Sequence, residues 1–373
     1  MAAEPSPTPT PALHPGANPV GAPAAVHAEG DWRRFVRRFL ALLLGLLGVI
    51  GLLNFLVNPE GIFPTHLLPP VTLNTRPGKA KLLAEMDPKP EALILGSSRS
   101  MKVDPADVER RTGLRAFNAS VNAAFAEDYY VMLRYAVETA GMQPKLVLIG
   151  ADVENFHDHS PPNDYLLHAN SLGRFLNANQ ADSAWRRFTT VFTVLETKLS
   201  ILSIQEAITG QERGEGTFEP NGYLKNDFWK ALKEQGKLDV KSRFEQRAAQ
   251  YQARYASYTA PSKERLDYFT KLLAYCRERH IPVIVFLTPM HPDLKARLRP
   301  YGYDQRRDEA AAALQKICAQ EGVRFFDLSL PESFGGDLNS FYDGIHMDEH
   351  NSGLITEKVL ANRAPGKETH AVQ

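Results

Sequence analysis

The sequence predicts an α/β domain built on a parallel sheet, split by a long and mainly helical insertion and preceded by one membrane-spanning helix. Three observations carry that reading. An uncharged apolar run covers residues 39–57 behind Arg33, Arg34, Arg37 and Arg38. Short apolar strands alternate with helical patterns from residue 92 onward, which indicates parallel strands covered on both faces. The alternation stops near His157 and resumes near Ser262.

Residues 1–31 are rich in Pro and Ala and show no apolar periodicity. Such a segment buries too little surface to offset its ordering entropy, so a flexible tail is expected. Residues 32–57 follow as the anchor. At about 1.5 Å per residue, the uncharged run is long enough for a hydrocarbon core of about 30 Å, with Asn54 its main polar interruption. A cleavable signal has a shorter apolar core ending at small residues, and Asn54-Phe55-Leu56-Val57-Asn58-Pro59 offers no Ala-x-Ala site, so the anchor is expected to be retained. Four arginines before the run and no comparable cluster after it put the N-terminus in the bacterial cytoplasm and the rest in the periplasm or outside the cell.

Residues 58–90 are Pro-rich and read as a linker, with a helix over 79–85. Strands are predicted at 92–95, 115–118, 145–149, 282–287 and 324–327, and helices at 105–112, 128–140, 263–279, 304–320 and 351–360. The interruption at 158–261 is too long for a simple connection. It holds a helix over about 183–208, a Gly-rich polar stretch over 210–222 and a polar helix over 239–255. A lid, a binding subdomain or an interaction surface would each account for it. Domain residues then run from 91 to 361, and 362–373 form a flexible C-terminus.

The 43 basic and 43 acidic residues cancel, so no whole-chain field recruits nucleic acid. Cys276 and Cys318 lie outside any Cys-x-x-Cys spacing and read as small buried apolar groups. A disulfide between them would require a close approach of their Cα atoms, which spacing does not reveal.

Two segments carry chemistry. Gly96-Ser97-Ser98 follows the first strand of the domain, and Asp343-Gly344-Ile345-His346 lies in the loop before the last helix. In an open parallel sheet functional groups gather beyond the carboxyl ends of the strands, so both segments reach one edge. A serine hydroxyl is a weak nucleophile until an imidazole accepts its proton, and a carboxylate fixes the tautomer of that imidazole. With an offset of three residues Asp343 can meet Nδ1 of His346 while Nε2 faces the serine. That chemistry needs no metal or organic cofactor. Other readings compete for the same residues. His346 and His350 form an i, i+4 metal-type pair if helical. Gly96-x-Ser98-x-Ser100 resembles a nucleophile elbow, in which acid and histidine come from separate loops. Arg99 is a candidate contact for an anionic substrate group or a structural ion-pair partner. His291 is a candidate substrate contact or a turn histidine.

Taken together, the Gly-Ser-Ser turn and the late Asp-x-x-His resemble the SGNH (GDSL-type) hydrolase and acyltransferase superfamily. The resemblance is closest to membrane-anchored members that act on cell-surface polymers, in polysaccharide O-acetylation or D-alanylation of teichoic acid. It implies a three-layer, flavodoxin-like domain with nucleophile Ser98, base His346 and orienting acid Asp343. Two blocks depart from the pattern. Phe117-Asn118-Ala119-Ser120 puts Ser120 where the family has an oxyanion-binding glycine, and Ile149-Gly150-Ala151-Asp152-Val153 puts Asp152 where it has an asparagine donor. Losing one such donor costs roughly 3 to 4 kcal/mol of barrier. The oxyanion candidates are therefore Ser98, Ser120, Asn122, Asp152 and Asn155. The implied function is an acyl esterase or O-acyltransferase acting on a cell-envelope polysaccharide or related polymer, served by a membrane-embedded acyl-donor protein. The alternative is a catalytically weak scaffold or polymer-binding protein in an envelope biosynthesis or export complex.

Overall fold

A computed structural model describes residues 26–59, 63, 67–68, 75–159, 166, 172–176, 185, 188–209, 217–226 and 228–361. The chain divides into two compact units, one ending at Ile50 and the other beginning at Gly51. Helix α1 covers Val26–Val57 and crosses that division. Its portion Trp32–Val57 is long and apolar enough to cross a membrane. The helix starts inside the stretch expected to be a flexible tail; residues 1–25 and 362–373, also expected to be flexible, lie outside the described residues.

In the second unit, five parallel strands form one sheet: β1 (Ala92–Gly96), β2 (Ala116–Asn118), β3 (Leu146–Ala151), β6 (Val283–Leu287) and β7 (Arg324–Asp327), in the order β2-β1-β3-β6-β7. This is the doubly wound order of flavodoxin-like folds, in which the direction of winding switches between β1 and β3 and opens a crevice beyond their carboxyl ends. Alternation along each strand feeds two cores. Leu93, Leu95, Val147, Ile149, Val285 and Leu287 enter one, and Ala92, Ile94, Leu146, Leu148, Ile284 and Phe286 enter the other. Burial on both faces is why these strands read as continuous apolar runs. Helices α3 (Pro105–Thr112) and α11 (Glu349–Leu360) contribute to the second core, and α4 (Ala126–Glu138), α8 (Lys263–Glu278) and α10 (Tyr303–Gln320) to the first.

The stretch read as a linker contains α2 (Thr75–Glu85), which is built into the domain. Ala80 and Leu83 join the first core. Arg76 is fully buried and donates from Nε and Nη2 to the two carboxylate oxygens of Asp128, at 2.6 and 3.0 Å. Lys79 is equally buried; its Nζ donates to the carbonyls of Asn118 and Gly222 and lies 4.1 Å from the ring centre of Phe218. Burial holds the Lys79 ammonium well below its ordinary pKa.

The insertion leaves and re-enters the domain at one neck. His157 and Pro261 form an antiparallel bridge, and Ser262 N–H donates to the Phe156 carbonyl at 2.7 Å. Between them lie α5 (Val194–Thr209), a two-stranded ribbon of β4 (Thr217–Phe218) and β5 (Leu224–Asn226), α6 (Phe228–Glu234) and α7 (Val240–Ser257). The expected helix over 183–208 is broken by a turn at 191–193, with residues 185 and 188–190 helical before it and α5 after it, and residues 177–184, 186–187 and 210–216 lie outside the described residues. The ribbon, α6 and the short α9 (Pro292–Leu298) are additions to the elements predicted above, each too short to carry a periodic signal. Helix α7 packs against α9, which places the insertion beside the carboxyl edge of the sheet. Cys276 and Cys318 are buried free thiols, each pushed up to about 12 by burial.

Glu127 supplies a test of this packing. Burial and the adjacent Asp128 push its carboxyl up to about 7, although Arg265 Nε stands 3.4 Å away. The folded state therefore holds a proton that the unfolded state has released, and stability falls as pH rises from about 4.5 to about 7. In thermal unfolding of the detergent-solubilised protein, Glu127→Gln should remove a slope on the order of 2 to 3 kcal/mol across that window. Parallel curves for the two proteins would refute the assignment.

Candidate active site

At the carboxyl end of β1 the chain turns into a short 3₁₀ segment, Ser98–Ser100, capped by Ser97, whose Oγ accepts the Arg99 N–H at 3.1 Å. Glycine is required beneath this turn. Gly96 and Gly150 are register partners on β1 and β3, and a Cβ at either would overlap the Ser100 side chain. Asn118 ties the turn to β2: its Nδ2 donates to the carbonyls of Ser100 and Val103 at 2.9 and 2.8 Å. Ser98 is thereby fixed at the β1/β3 crevice with its side chain half-buried.

The second segment is a tight loop. Phe341 and Met347 form a bridge across it, and Tyr342 N–H donates to the His346 carbonyl at 2.9 Å. Gly344 has φ of +90°, which a side chain would strain. Asp343 Oδ1 accepts the N–H groups of Ile345 and His346 at 3.2 and 3.0 Å, so the carboxylate folds its own loop. Oδ2 is left to face the imidazole.

Ser98 Oγ lies 2.8 Å from His346 Nε2, and His346 Nδ1 lies 2.8 Å from Asp343 Oδ2. The three residues singled out from the two motifs thus form one continuous hydrogen-bonded chain. Asp343 is 1% exposed, whereas the His346 side chain is 26% exposed, so the serine end of the chain opens to solvent and the acid end is sealed. Burial alone would raise the Asp343 pKa; His346, the backbone donors and Arg247 outweigh it and hold the carboxyl well below the usual range. His350 lies within α11, but that helix starts at Glu349, so His346 and His350 share no helical face.

Arg247, on α7 of the insertion, escaped the sequence reading. Its Nη2 and Nε donate to Asp343 Oδ2 at 2.6 and 2.9 Å, the same oxygen that meets His346. The only trace in the sequence was a polar helix, and nothing in its pattern marks one arginine for a loop 96 positions away.

The other candidate residues fall into place differently. Of the two readings of Arg99, the buried ion-pair partner is the one its contacts match: it is 2% exposed and donates to Glu154 at 2.9 Å, to Tyr251 at 3.1 Å and to Thr288 at 3.3 Å. Tyr251 and Tyr255, also from α7, complete this cluster, with Tyr255 donating to Glu154 at 2.5 Å. His291 caps α9, its Nδ1 accepting the Asp293 N–H at 3.2 Å, and its own N–H donates to the Gly344 carbonyl at 2.9 Å. It thus braces the Asp-x-x-His loop, and its ring, packed near Phe244 and Phe341, has its pKa lowered by burial.

Among the oxyanion candidates, Asp152 and Asn155 are committed elsewhere. Asp152 accepts the Thr288 hydroxyl at 2.6 Å and stands 3.9 Å from Arg99 Nε. Asn155 donates from Nδ2 to the Ala124 carbonyl at 2.6 Å and to Asp152 at 3.4 Å, while its Oδ1 accepts from Tyr129 and from the Asp152 N–H. Asn122 Oδ1 accepts the Thr75 hydroxyl at 2.9 Å, and Ser120 N–H donates to Asn118 Oδ1 at 2.9 Å. The Ser98 N–H has no protein acceptor among the described residues, and the Ser120 hydroxyl is buried without a partner.

Residues 79–350 match the model of a family described as "Protein of unknown function (DUF1574)", and the chain belongs to that family. Among solved structures, the chain is similar to one described as a "putative acylhydrolase" from Bacteroides fragilis NCTC 9343. The two share 11% identity over 78% of this chain and 94% of that one, with a TM-score of 0.34. No curated protein matches the chain.

Arg247 generates a test. It ties the insertion to the acid through Asp343 Oδ2, so Arg247→Gln should slow any Ser98-dependent reaction by roughly tenfold and Arg247→Lys should restore most of that rate. An unchanged rate in Arg247→Gln would reduce Arg247 to a packing role.

Proposed function

We propose that this protein is a membrane-anchored, extracytoplasmic serine esterase or O-acyltransferase of SGNH type that acts on acyl esters of a cell-envelope polysaccharide or related polymer. The observation that carries the reading is the unbroken chain from Ser98 Oγ through His346 to Asp343, with 2.8 Å at each link. In this mechanism His346 Nε2 takes the Ser98 proton as the oxygen attacks the ester carbonyl. The tetrahedral oxyanion meets the Ser98 N–H, and His346 returns the proton to the departing alkoxide. An acyl-serine remains. His346 then takes a proton from the acceptor, water for an esterase or a sugar hydroxyl for a transferase, as its oxygen attacks the acyl carbonyl; the Ser98 Oγ–acyl bond breaks and the proton returns to Ser98 Oγ. The span Trp32–Val57 supports anchoring beside a membrane-embedded acyl donor, and the arginines before it support an outward-facing domain.

A second reading has its own support. Asp152 and Asn155 spend their polar atoms inside the protein, so the side-chain donor that usually assists the oxyanion is missing at that position. A weak catalyst serving as a polymer-binding scaffold would look the same there.

The two readings separate on Ser98. A fluorophosphonate probe should label the wild-type protein and spare Ser98→Ala and His346→Ala, with labelling lost by at least about a hundredfold. Ser98→Ala should also abolish the cellular role. A folded protein that never labels, together with a Ser98→Ala variant that keeps the cellular role, would establish the scaffold instead. A reporter fused after residue 60 should be active only outside the cytoplasm; activity only inside would overturn the orientation.

A further inference from the structure

The insertion presents an apolar surface that the catalytic reading does not use. Trp185, Phe188 and Phe192 are 65%, 54% and 39% exposed, and their rings meet in a row, the first pair tilted and the second edge-on, with centroids 5.7 and 5.4 Å apart. Helix α5 continues from them with apolar residues on its outer face. Val194, Ile201 and Ile208, seven residues apart and hence on one face, are 72%, 47% and 78% exposed, whereas Glu196, Ser200 and Ser203 are buried beside Leu199. A helix lying on a water-soluble domain does the opposite.

This surface is continuous with the end of α1. Within the unit that begins at Gly51, Asn54 is fully buried, and its Nδ2 donates to the Val191 carbonyl at 2.7 Å and to the Thr197 hydroxyl at 2.9 Å. Phe192 packs so closely on Gly51 that a Cβ there would come within 2.5 Å of its ring. Around these contacts Leu52, Leu53, Phe55 and Leu56 stay exposed. A polar amide in an apolar span is costly unless it finds a partner, and here the partner is the insertion itself.

We propose that Trp185, Phe188, Phe192 and helix α5 form a second membrane contact, lying in the headgroup–acyl boundary of the leaflet from which residues 51–57 emerge. The occupant is lipid, because whatever covers Leu52, Phe55 and Leu56 extends without a break over Phe192. Lys198 and Gln205 sit on the same exposed face as Ile201, a mixture suited to a boundary where apolar bodies enter the acyl region and polar tips reach headgroups. Trp185 occupies the aromatic position expected at such a depth. The inference rests on the membrane span proposed above and is independent of the acyl chemistry.

The test uses the full chain reconstituted in phosphatidylethanolamine–phosphatidylglycerol vesicles, with fluorescence read from single tryptophans. The chain has three, Trp32, Trp185 and Trp229. In W32F/W229F, lipids brominated near the headgroup end of the acyl chain should quench Trp185 at least twofold, while aqueous acrylamide should quench it little. Adding I201E/I208E should reverse that preference without changing Ser98 labelling. Acrylamide quenching of Trp185 without bromolipid quenching would overturn the proposal and leave a protein partner as the occupant. Protection from both quenchers would overturn it in favour of a contact between copies of the chain. A companion W185F/W229F protein reports on Trp32, so failure of the membrane span itself is distinguished from failure of the second contact.

Discussion

A single carboxylate oxygen, Asp343 Oδ2, accepts hydrogen bonds from a loop imidazole and from a helix of the insertion, and this edge of the sheet is arranged around keeping it charged and dry. A buried carboxylate is costly unless every lone pair is used. Here Oδ1 takes two backbone N–H groups of its own loop, while Oδ2 takes His346 and Arg247. The loop is held in turn by His291 from α9, and α9 is held by α7, the helix that carries Arg247. Each contact presupposes the others, so Asp343, His346 and the insertion form one cooperative unit.

Below Ser98 a second charged group is organised on the same principle. Arg99 follows Ser98 directly, but a 3₁₀ turn sends neighbouring side chains in different directions, so one faces the crevice and the next faces the protein interior. Its partners Glu154, Tyr251 and Thr288 come from three separate parts of the chain, and Asp152 leans on the same cluster through Thr288. The aspartate that stands where the resemblance implies an oxyanion donor is thus absorbed into the support of the turn that holds Ser98.

Much of this was legible in the sequence, and the reasons differ from element to element. Strands buried on both faces appear as unbroken apolar runs, so β1, β3 and β6 were located nearly to their ends. Ser98, Asp343 and His346 could be brought together because both motifs adjoin the carboxyl edge of a parallel sheet, where topology alone places them. Helix α2 was read as part of a link because Arg76 and Lys79 look like solvated residues until Asp128 and two backbone carbonyls are seen around them. Arg247 was invisible for a related reason: an ion pair between distant segments leaves no period in the sequence. The apolar outer face of α5 was equally hidden, since a helical pattern does not say which of its faces is turned outward.

The narrow neck at His157 and Pro261 makes the insertion look like a module that was grafted onto an older domain. Its attachment in space contradicts that appearance. Excising residues between the two neck positions would strip Asp343 of a cation, Glu154 of a phenol and the span residue Asn54 of both its acceptors. The smallest working form of this protein is therefore not its five-stranded core, and any attempt to trim or transplant that core must carry the insertion with it.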